Sequence, residues 1–387
     1  MKRIGLVCNY YILNYGSALQ CFATEFIIKD MGYDVETIQF ANIPTKKAKR
    51  QIFLRLKLKQ CFIPKAVIKK MHRLKNNNLN EYYKNIVKER KKNFDEFITS
   101  NLRLTEKYNS LDEVRKIAEK YNVIILGSDQ LLCPKDIICG YHTLSFVPDN
   151  VKRISYAASF GLSELPFLVK NIAGKDLRKF DKFSAREIAG AKIFKELTGK
   201  EVPVVVDPTM LISVEKWNNI SGDEPIIQGK YIYCYFIGEN KSHRKIAKKL
   251  SLLTGYKIVS IRHIDEYIEE DELFGEEAVN NAGPKEFINL IKNAEYILAD
   301  SFHATIFSIL FKKNFFVLNR FENNSSGSTN SRIDSLLNIL GLEERRLHSS
   351  EDITKKYDKK INYDIVNNVL KDWVEESKRY LKDALEN

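Results

Sequence analysis

Ile4-Gly5-Leu6-Val7-Cys8, then Asn14-Tyr15-Gly16-Ser17, then a helical run from about Ala18 to Met31, then Val35 to Phe40: this stretch decides the fold. The first block is a short, continuous apolar run, the mark of a strand buried on both faces. A turn of small and polar residues follows, then a helix, then a second apolar run. Strand, turn, helix and strand in that order form the unit of a parallel α/β sheet.

The same alternation continues outward. Val123 to Leu126, Arg153 to Ala157, Lys182 to Ser184 and Val202 to Val206 read as further strands, with helices predicted over Leu111 to Tyr121 and Glu187 to Leu197. Asp207-Pro208-Thr209 closes this series. Glu215 to Pro225 is polar and poorly periodic, which puts a domain boundary near 214. A second series then opens with predicted strands at Tyr231 to Ile237, Lys257 to Ile261, Tyr296 to Ala299 and Phe315 to Leu318. Helices are predicted from about Ser242 to Leu253, Pro284 to Asn293, His303 to Phe311 and Ser331 to Leu340; Glu322 to Asn330, rich in Asn, Ser and Gly, reads as a mobile loop. The expectation is an α/β protein of two Rossmann-like domains facing a cleft. The first spans 1–214 with a basic helical insertion at about 46–100, the second spans 215–345, and 346–387 ends in an amphipathic helix packing back on the first domain.

Totals agree with two cores. The chain has 387 residues, 44% of them hydrophobic and 11% aromatic. It holds no run of about 18 apolar residues, as a spanning helix needs. The first apolar run stops at Asn9, short of a signal-peptide core. The six cysteines are scattered, which fits a reducing cytoplasm. Cys133 and Cys139 read as two unrelated thiols, and no histidine or cysteine cluster has a metal-ligand pattern. Neither a metal nor a resident cofactor is expected.

The net charge is +12, but 46–92 alone holds 17 Lys and Arg against two acids, so the rest of the chain is slightly acidic. A uniformly basic protein would suggest nucleic acid; one basic segment on a near-neutral body suggests a local anionic partner instead. Two readings of that segment stay open: an amphipathic element docking on an anionic membrane surface, or a solvated helical insertion.

In open α/β sheets ligands bind past the carboxyl ends of the strands. Those positions here hold Asn14-Tyr15-Gly16-Ser17, Gly127-Ser128-Asp129-Gln130, Ala158-Ser159-Phe160-Gly161, Arg186, Asp207-Pro208-Thr209 and Asp300-Ser301-Phe302-His303. Each has a bland alternative. Asp207 could cap the segment after it, Asp300 could cap the helix carrying His303, and the aromatics could be core.

With Leu19-Gln20, Ser155-Tyr156-Ala157, Ser184-Ala185-Arg186-Glu187, Val206-Asp207-Pro208-Thr209 and Asn330-Ser331-Arg332-Ile333, these blocks, in this order, resemble the polysaccharide pyruvyl transferase family. The resemblance implies a GT-B-like fold and a transferase that moves the pyruvyl group of phosphoenolpyruvate onto a sugar as a ketal. The acceptor would be a capsule or exopolysaccharide glycan, or its lipid-linked oligosaccharide precursor. The place of work would be the cytoplasm, or peripherally the inner face of the cell membrane.

By the same resemblance Arg186 and His303 bind the donor, joined by Ser301, Phe302 and Arg332. Better-characterised members have Arg-Leu-His where this chain has Ser301-Phe302-His303; Arg332, then Arg320, are the candidate replacements for the missing arginine. His303 is the expected acid, Asp129 and Asp207 the candidate catalytic carboxylates. Asn14, Tyr15, Gly16, Ser17, Ser128, Gln130, Ser159 and Asp300 are the expected acceptor or cleft lining. Two competing readings are a GT-B-like glycosyltransferase using a nucleotide sugar, and a non-catalytic binder of an anionic polymer acting through 46–92.

Overall fold

The computed structural model describes residues 1–41, 81–238, 240–262, 268–271, 274–320 and 330–387. The expected loop at 322–330 and the basic stretch up to residue 80 fall outside the described residues, Asn330 excepted. The chain divides into two compact units. The first draws on 1–41, 98–212 and 370–387, the second on 81–97 and 213–369.

Unit 1 is built on a parallel sheet of β1 (Arg3–Val7), β2 (Asp34–Phe40), β3 (Leu104–Tyr108), β4 (Val123–Leu126) and β5 (Lys152–Ser155), in the order β3-β2-β1-β4-β5. The order runs outward both ways from β1 and β4, the arrangement of a Rossmann fold with its switch point between those two strands. Val-Ile-Ile-Leu of β4 is buried throughout, because helices cover both faces of a parallel sheet. The turn after β4 is tight. A Cβ on Gly127 would lie 2.1 Å from Cys8 Sγ, so only glycine fits. Gly127→Ala is expected to destabilise unit 1 by about 1–3 kcal/mol through overpacking. A double-mutant cycle with Cys8→Ala, followed by thermal melting, should recover part of that loss.

Two sequence-predicted strands contract to bridges. Lys182 pairs with Ile154, and Ala185 pairs with both Ala158 and Val204. The bridges Asp129–Ala158, Ala158–Ala185 and Ala185–Val204 carry the parallel register across four strand ends. The helix Tyr363–Glu386 enters this unit over its last turns. Trp373 Nε1 donates to Val204 O, the Val206 amide donates to Ser377 Oγ at 3.0 Å, and Tyr380 donates to Ser155 O.

Unit 2 repeats the plan with β6 (Tyr231–Tyr235), β7 (Lys257–Ser260), β8 (Glu277–Ala278), β9 (Tyr296–Ala299), β10 (Asn314–Leu318) and β11 (Arg346–Leu347). All pairs are parallel and the order is β11-β10-β9-β6-β7-β8, with the switch point between β6 and β9. The units divide between Ile212 and Ser213, beside the boundary expected near 214, and the polar stretch after it opens with the helix Val214–Ser221, capped by Ser213 and anchored by the buried Trp217 ring against Phe307. A single large aromatic supplies the burial that its weak periodicity hides. Of the insertion expected with the first domain, the described residues 81–97 belong to unit 2: in the helix Glu81–Asn101, Arg90 Nε donates to Asn280 O and Asn93 Nδ2 to Asn281 O.

Candidate active site

The four bridged strand ends of unit 1 place Asp129, Ser159, Arg186 and Asp207 side by side. Asn14 caps the helix Tyr15–Asp30 by accepting from the Ser17 amide at 3.1 Å, so the expected loop is already the helix's first turn. Ser17 Oγ then reaches Asp129 Oδ2 at 2.5 Å. Arg186 is buried among three carboxylates. Its Nη1 donates to Asp207 Oδ2 at 3.0 Å; Nη2 lies 3.6 Å from Asp129 Oδ1 and Nε 3.8 Å from Glu187 Oε2. Ser128 Oγ lies 3.0 Å from both Ala157 O and Asp207 Oδ2, and Ser159 Oγ donates to Glu187 Oε1 at 2.8 Å. Burial alone would push the Arg186 guanidinium down; the charges of Asp207, Asp129 and Glu187 outweigh it and hold the group above its ordinary value.

Two non-glycine residues here adopt left-handed backbone, Asp129 at φ 78° and Ala157 at φ 51°. Such conformations cost of order 1–3 kcal/mol each and gather at functional sites. Tyr15 opens the helix Tyr15–Asp30 and is buried. Gly16 lies in the first helical turn, and the half-buried Gln130 carboxamide packs over Gly161. Asp207 also caps, as its bland alternative held: Oδ1 accepts from Thr209 N at 3.1 Å and Oγ1 at 2.8 Å.

The carboxyl edge of unit 2 has the opposite character. Asp300 sits past β9 and is buried. It does not cap the helix Phe302–Leu310; Ser301 does, accepting from Ala304 N. Asp300 instead ties the two sides of the switch point together, its Oδ1 accepting from Ile237 N at 2.7 Å and Oδ2 from Gly238 N at 2.8 Å. A histidine and an arginine flank it. His243 Nδ1 is 3.7 Å from Oδ2, Arg320 Nε is 3.9 Å from Oδ1, and Arg320 Nη2 donates to the Asp300 carbonyl at 3.0 Å. His303 lies in the first helical turn with Phe302, and the Arg332 guanidinium lies 5.9 Å from the Phe302 ring centre. Of the expected donor-binding residues, Ser301, Phe302, His303 and Arg332 thus gather here, while Arg186 is held on unit 1.

Sequence reading quoted Glu187 and Thr209 without giving either a role of its own, and missed Gly238 and His243. Glu187 stands beside Arg186, and a second charge in that block was the available signal. His243 and Gly238 follow β6 as Ser17 and Asn14 follow β1, so the repeated topology could have found them. Burial holds His243 below its ordinary value of 6.5, which Asp300 and the Asn319 backbone offset only in part. The unfolded chain therefore takes up this proton first as pH falls. Unit 2 is expected to keep this contribution above about pH 6.5 and lose it progressively below, and melting curves of His243→Gln should show a weaker acid decline.

Among the described residues no group of three or more His, Cys, Asp or Glu is placed to hold a metal ion, and the five cysteines are free. No described helix is long and apolar enough to cross a membrane.

Two Rossmann-like α/β units, each with polar residues gathered past its switch point, define a GT-B-like fold. The chain belongs to the polysaccharide pyruvyl transferase family, whose model matches residues 14–322. No curated relative matches the sequence. Among solved structures, the UDP-GlcNAc 2-epimerase from Neisseria meningitidis bound to UDP-GlcNAc is similar with a TM-score of 0.54 at 12% identity, covering 100% of this chain and 99% of that one. The S. aureus MnaA–UDP co-structure gives 0.54 at 13% identity, covering 96% of this chain and 91% of that one. The UDP-GlcNAc 2-epimerase from Methanocaldococcus jannaschii gives 0.52 at 12%, covering 94% and 93%. At such identity the likeness is one of fold.

Proposed function

We propose that this transferase uses phosphoenolpyruvate as donor and places its pyruvyl group as a ketal on a sugar of a surface glycan or a lipid-linked precursor. One observation carries the reading beyond the family. At the carboxyl edge of unit 2, His243 and Arg320 flank Asp300, and His303 and Arg332 both lie against Phe302 two residues on, while the edge of unit 1 gathers three carboxylates around a single arginine. Phosphoenolpyruvate brings a carboxylate and a phosphate, and arginine forks suit both. Sugar hydroxyls are donors that carboxylates accept. The arginines of the unit 2 edge therefore suit the donor's two anionic groups.

The chemistry needs a proton on the donor's methylene carbon and attack of a sugar hydroxyl on the adjacent carbon. A second hydroxyl then displaces phosphate and closes the ketal. In this reading His303 supplies the methylene proton, and Arg332 and Arg320 hold the donor's anionic groups. The test is incubation with phosphoenolpyruvate and a panel of p-nitrophenyl hexopyranosides, following inorganic phosphate and the ketal methyl signal by NMR. Acceptor-dependent phosphate release with a new methyl signal is expected. Phosphate release without a ketal would contradict the reading. The basic charge of 46–92 supports docking on an anionic membrane surface of the cytoplasmic face. Liposome flotation should then show binding to anionic vesicles and none to neutral ones; equal binding to both would refute it.

A further inference from the structure

We infer that Ser377 and Trp373, on the last helix, are positioning residues for Arg186: they fix the edge segment that leads into Asp207, and Asp207 holds the guanidinium. The inference rests on the pyruvyl-transfer reading above, with Arg186 as the donor-binding group that the resemblance implies. Residues 370–387 belong to unit 1, while the family match ends at residue 322, so this helix lies outside it.

The reason lies in where the backbone bonds of one short segment go. On one side the segment from Pro203 to Val205 pairs with Ala185: the Ala185 amide donates to Pro203 O at 3.0 Å, and the Val205 amide donates to Ala185 O at 2.9 Å. In a parallel pair every second residue turns its own N–H and C=O away from the partner. Val204 and Val206 do so here, and buried backbone groups need partners. The helix Tyr363–Glu386 supplies side chains in place of a further strand, one way a sheet edge is closed. Trp373 Nε1 donates to Val204 O at 3.0 Å, and the Val206 amide donates to Ser377 Oγ at 3.0 Å. Trp373 and Ser377 are one helical turn apart, so both stand on one face of the helix. Ser377 is fully buried and gives its own proton to Trp373 O at 2.7 Å, which leaves Oγ as the acceptor that Val206 needs. Tyr156 Oη donates to Val206 O at 3.1 Å, so side chains tie both polar groups of Val206.

Asp207 is the next residue. Its Oδ2 accepts from Arg186 Nη1 at 3.0 Å, and its Oδ1 takes Thr209 N and Oγ1. The path therefore runs Ser377, Val206, Asp207, Arg186, and a shift of the segment moves the guanidinium with it. The far end of the same helix is held differently. Lys152 Nζ donates to Ala384 O at 2.6 Å and Lys2 Nζ to Leu385 O at 2.9 Å, satisfying carbonyls that a helix end leaves open. Lys2 precedes β1 and Lys152 opens β5, so this hold lies at the amino ends of the strands and away from Asp207.

That contrast gives the test. Wild type, Ser377→Ala, Trp373→Phe, Lys152→Met, Asp207→Asn and the double variant Ser377→Ala/Asp207→Asn are compared by thermal melting, by phosphoenolpyruvate calorimetry and by phosphate release with the hexopyranoside panel. Ser377→Ala and Lys152→Met should each melt about 2–4 °C early. Ser377→Ala and Trp373→Phe should also lose about tenfold in donor affinity, within the roughly 10²-fold that a misplaced group can cost. Lys152→Met should keep the wild-type affinity. In the Asp207→Asn background Ser377→Ala should cost little more, because the path is already cut. Wild-type donor affinity in folded Ser377→Ala and Trp373→Phe overturns the inference. So does an equal loss of affinity in Lys152→Met, or a loss in the double variant that is the full product of the two single losses. A wild type that neither binds phosphoenolpyruvate nor releases phosphate overturns the pyruvyl-transfer reading and the inference with it.

Discussion

Arg186→Met is expected to destabilise unit 1 by about 3–5 kcal/mol, the range for removing one partner of a buried ion pair. The cause is what the arginine leaves behind. Asp207 and Glu187 have almost no exposed surface and Asp129 little, so three carboxylates would remain in a poorly solvated place without their cation. Coulomb attraction to a full positive charge is not replaced by methionine, whatever its packing. Arg186→Lys keeps the charge but not the fork, since one ammonium cannot follow Nη1 to Asp207, Nη2 to Asp129 and Nε to Glu187 together. It should fall between wild type and Arg186→Met. Arg186→Met with Asp207→Leu should lose less than the sum of the two single changes, because a cation and an anion leave together. Calorimetric melting reads all three.

His303→Gln is expected to lower kcat by about 10²–10⁴-fold while leaving the melting temperature within a degree or two. The helix Phe302–Leu310 is capped by Ser301 and backed by Phe307 against Trp217, and neither contact needs the imidazole. Glutamine keeps a polar side chain of similar reach but cannot give up a proton near neutral pH. Phosphate release reads the loss of rate, and calorimetry with phosphoenolpyruvate shows how much of it is donor binding. A large fall in kcat with small change in donor affinity identifies the acid; a fall confined to affinity would make His303 a ligand only.

Much of this was legible in the sequence because it depends on local signals. Apolar runs such as Val123 to Leu126 announced central strands, and the rule that ligands bind past strand ends picked out Asp129, Arg186, Asp207 and His303. What escaped depends on tertiary context. β8 and β11 are two residues long, too short for any period to show. β3, Leu-Thr-Glu-Lys-Tyr, is an edge strand with two exposed charges, so its composition reads as loop. The three acids around Arg186 could not be told apart from sequence, since a fully buried carboxylate and one that keeps some exposure look alike until the strand ends are set in register. Likewise, nothing in Asp300-Ser301-Phe302-His303 says that Asp300 bonds back to Ile237 and Gly238 and leaves Ser301 as the cap.

Titration of phosphoenolpyruvate into the intact protein by calorimetry tests the central claim most directly. The account predicts saturable binding, weakened at least tenfold in Arg332→Ala and Arg320→Ala, as loss of a charge-assisted bond of about 1.5–3 kcal/mol requires, and little changed in Asp129→Asn. No binding at millimolar phosphoenolpyruvate, with saturable binding of UDP-N-acetylglucosamine instead, would contradict it.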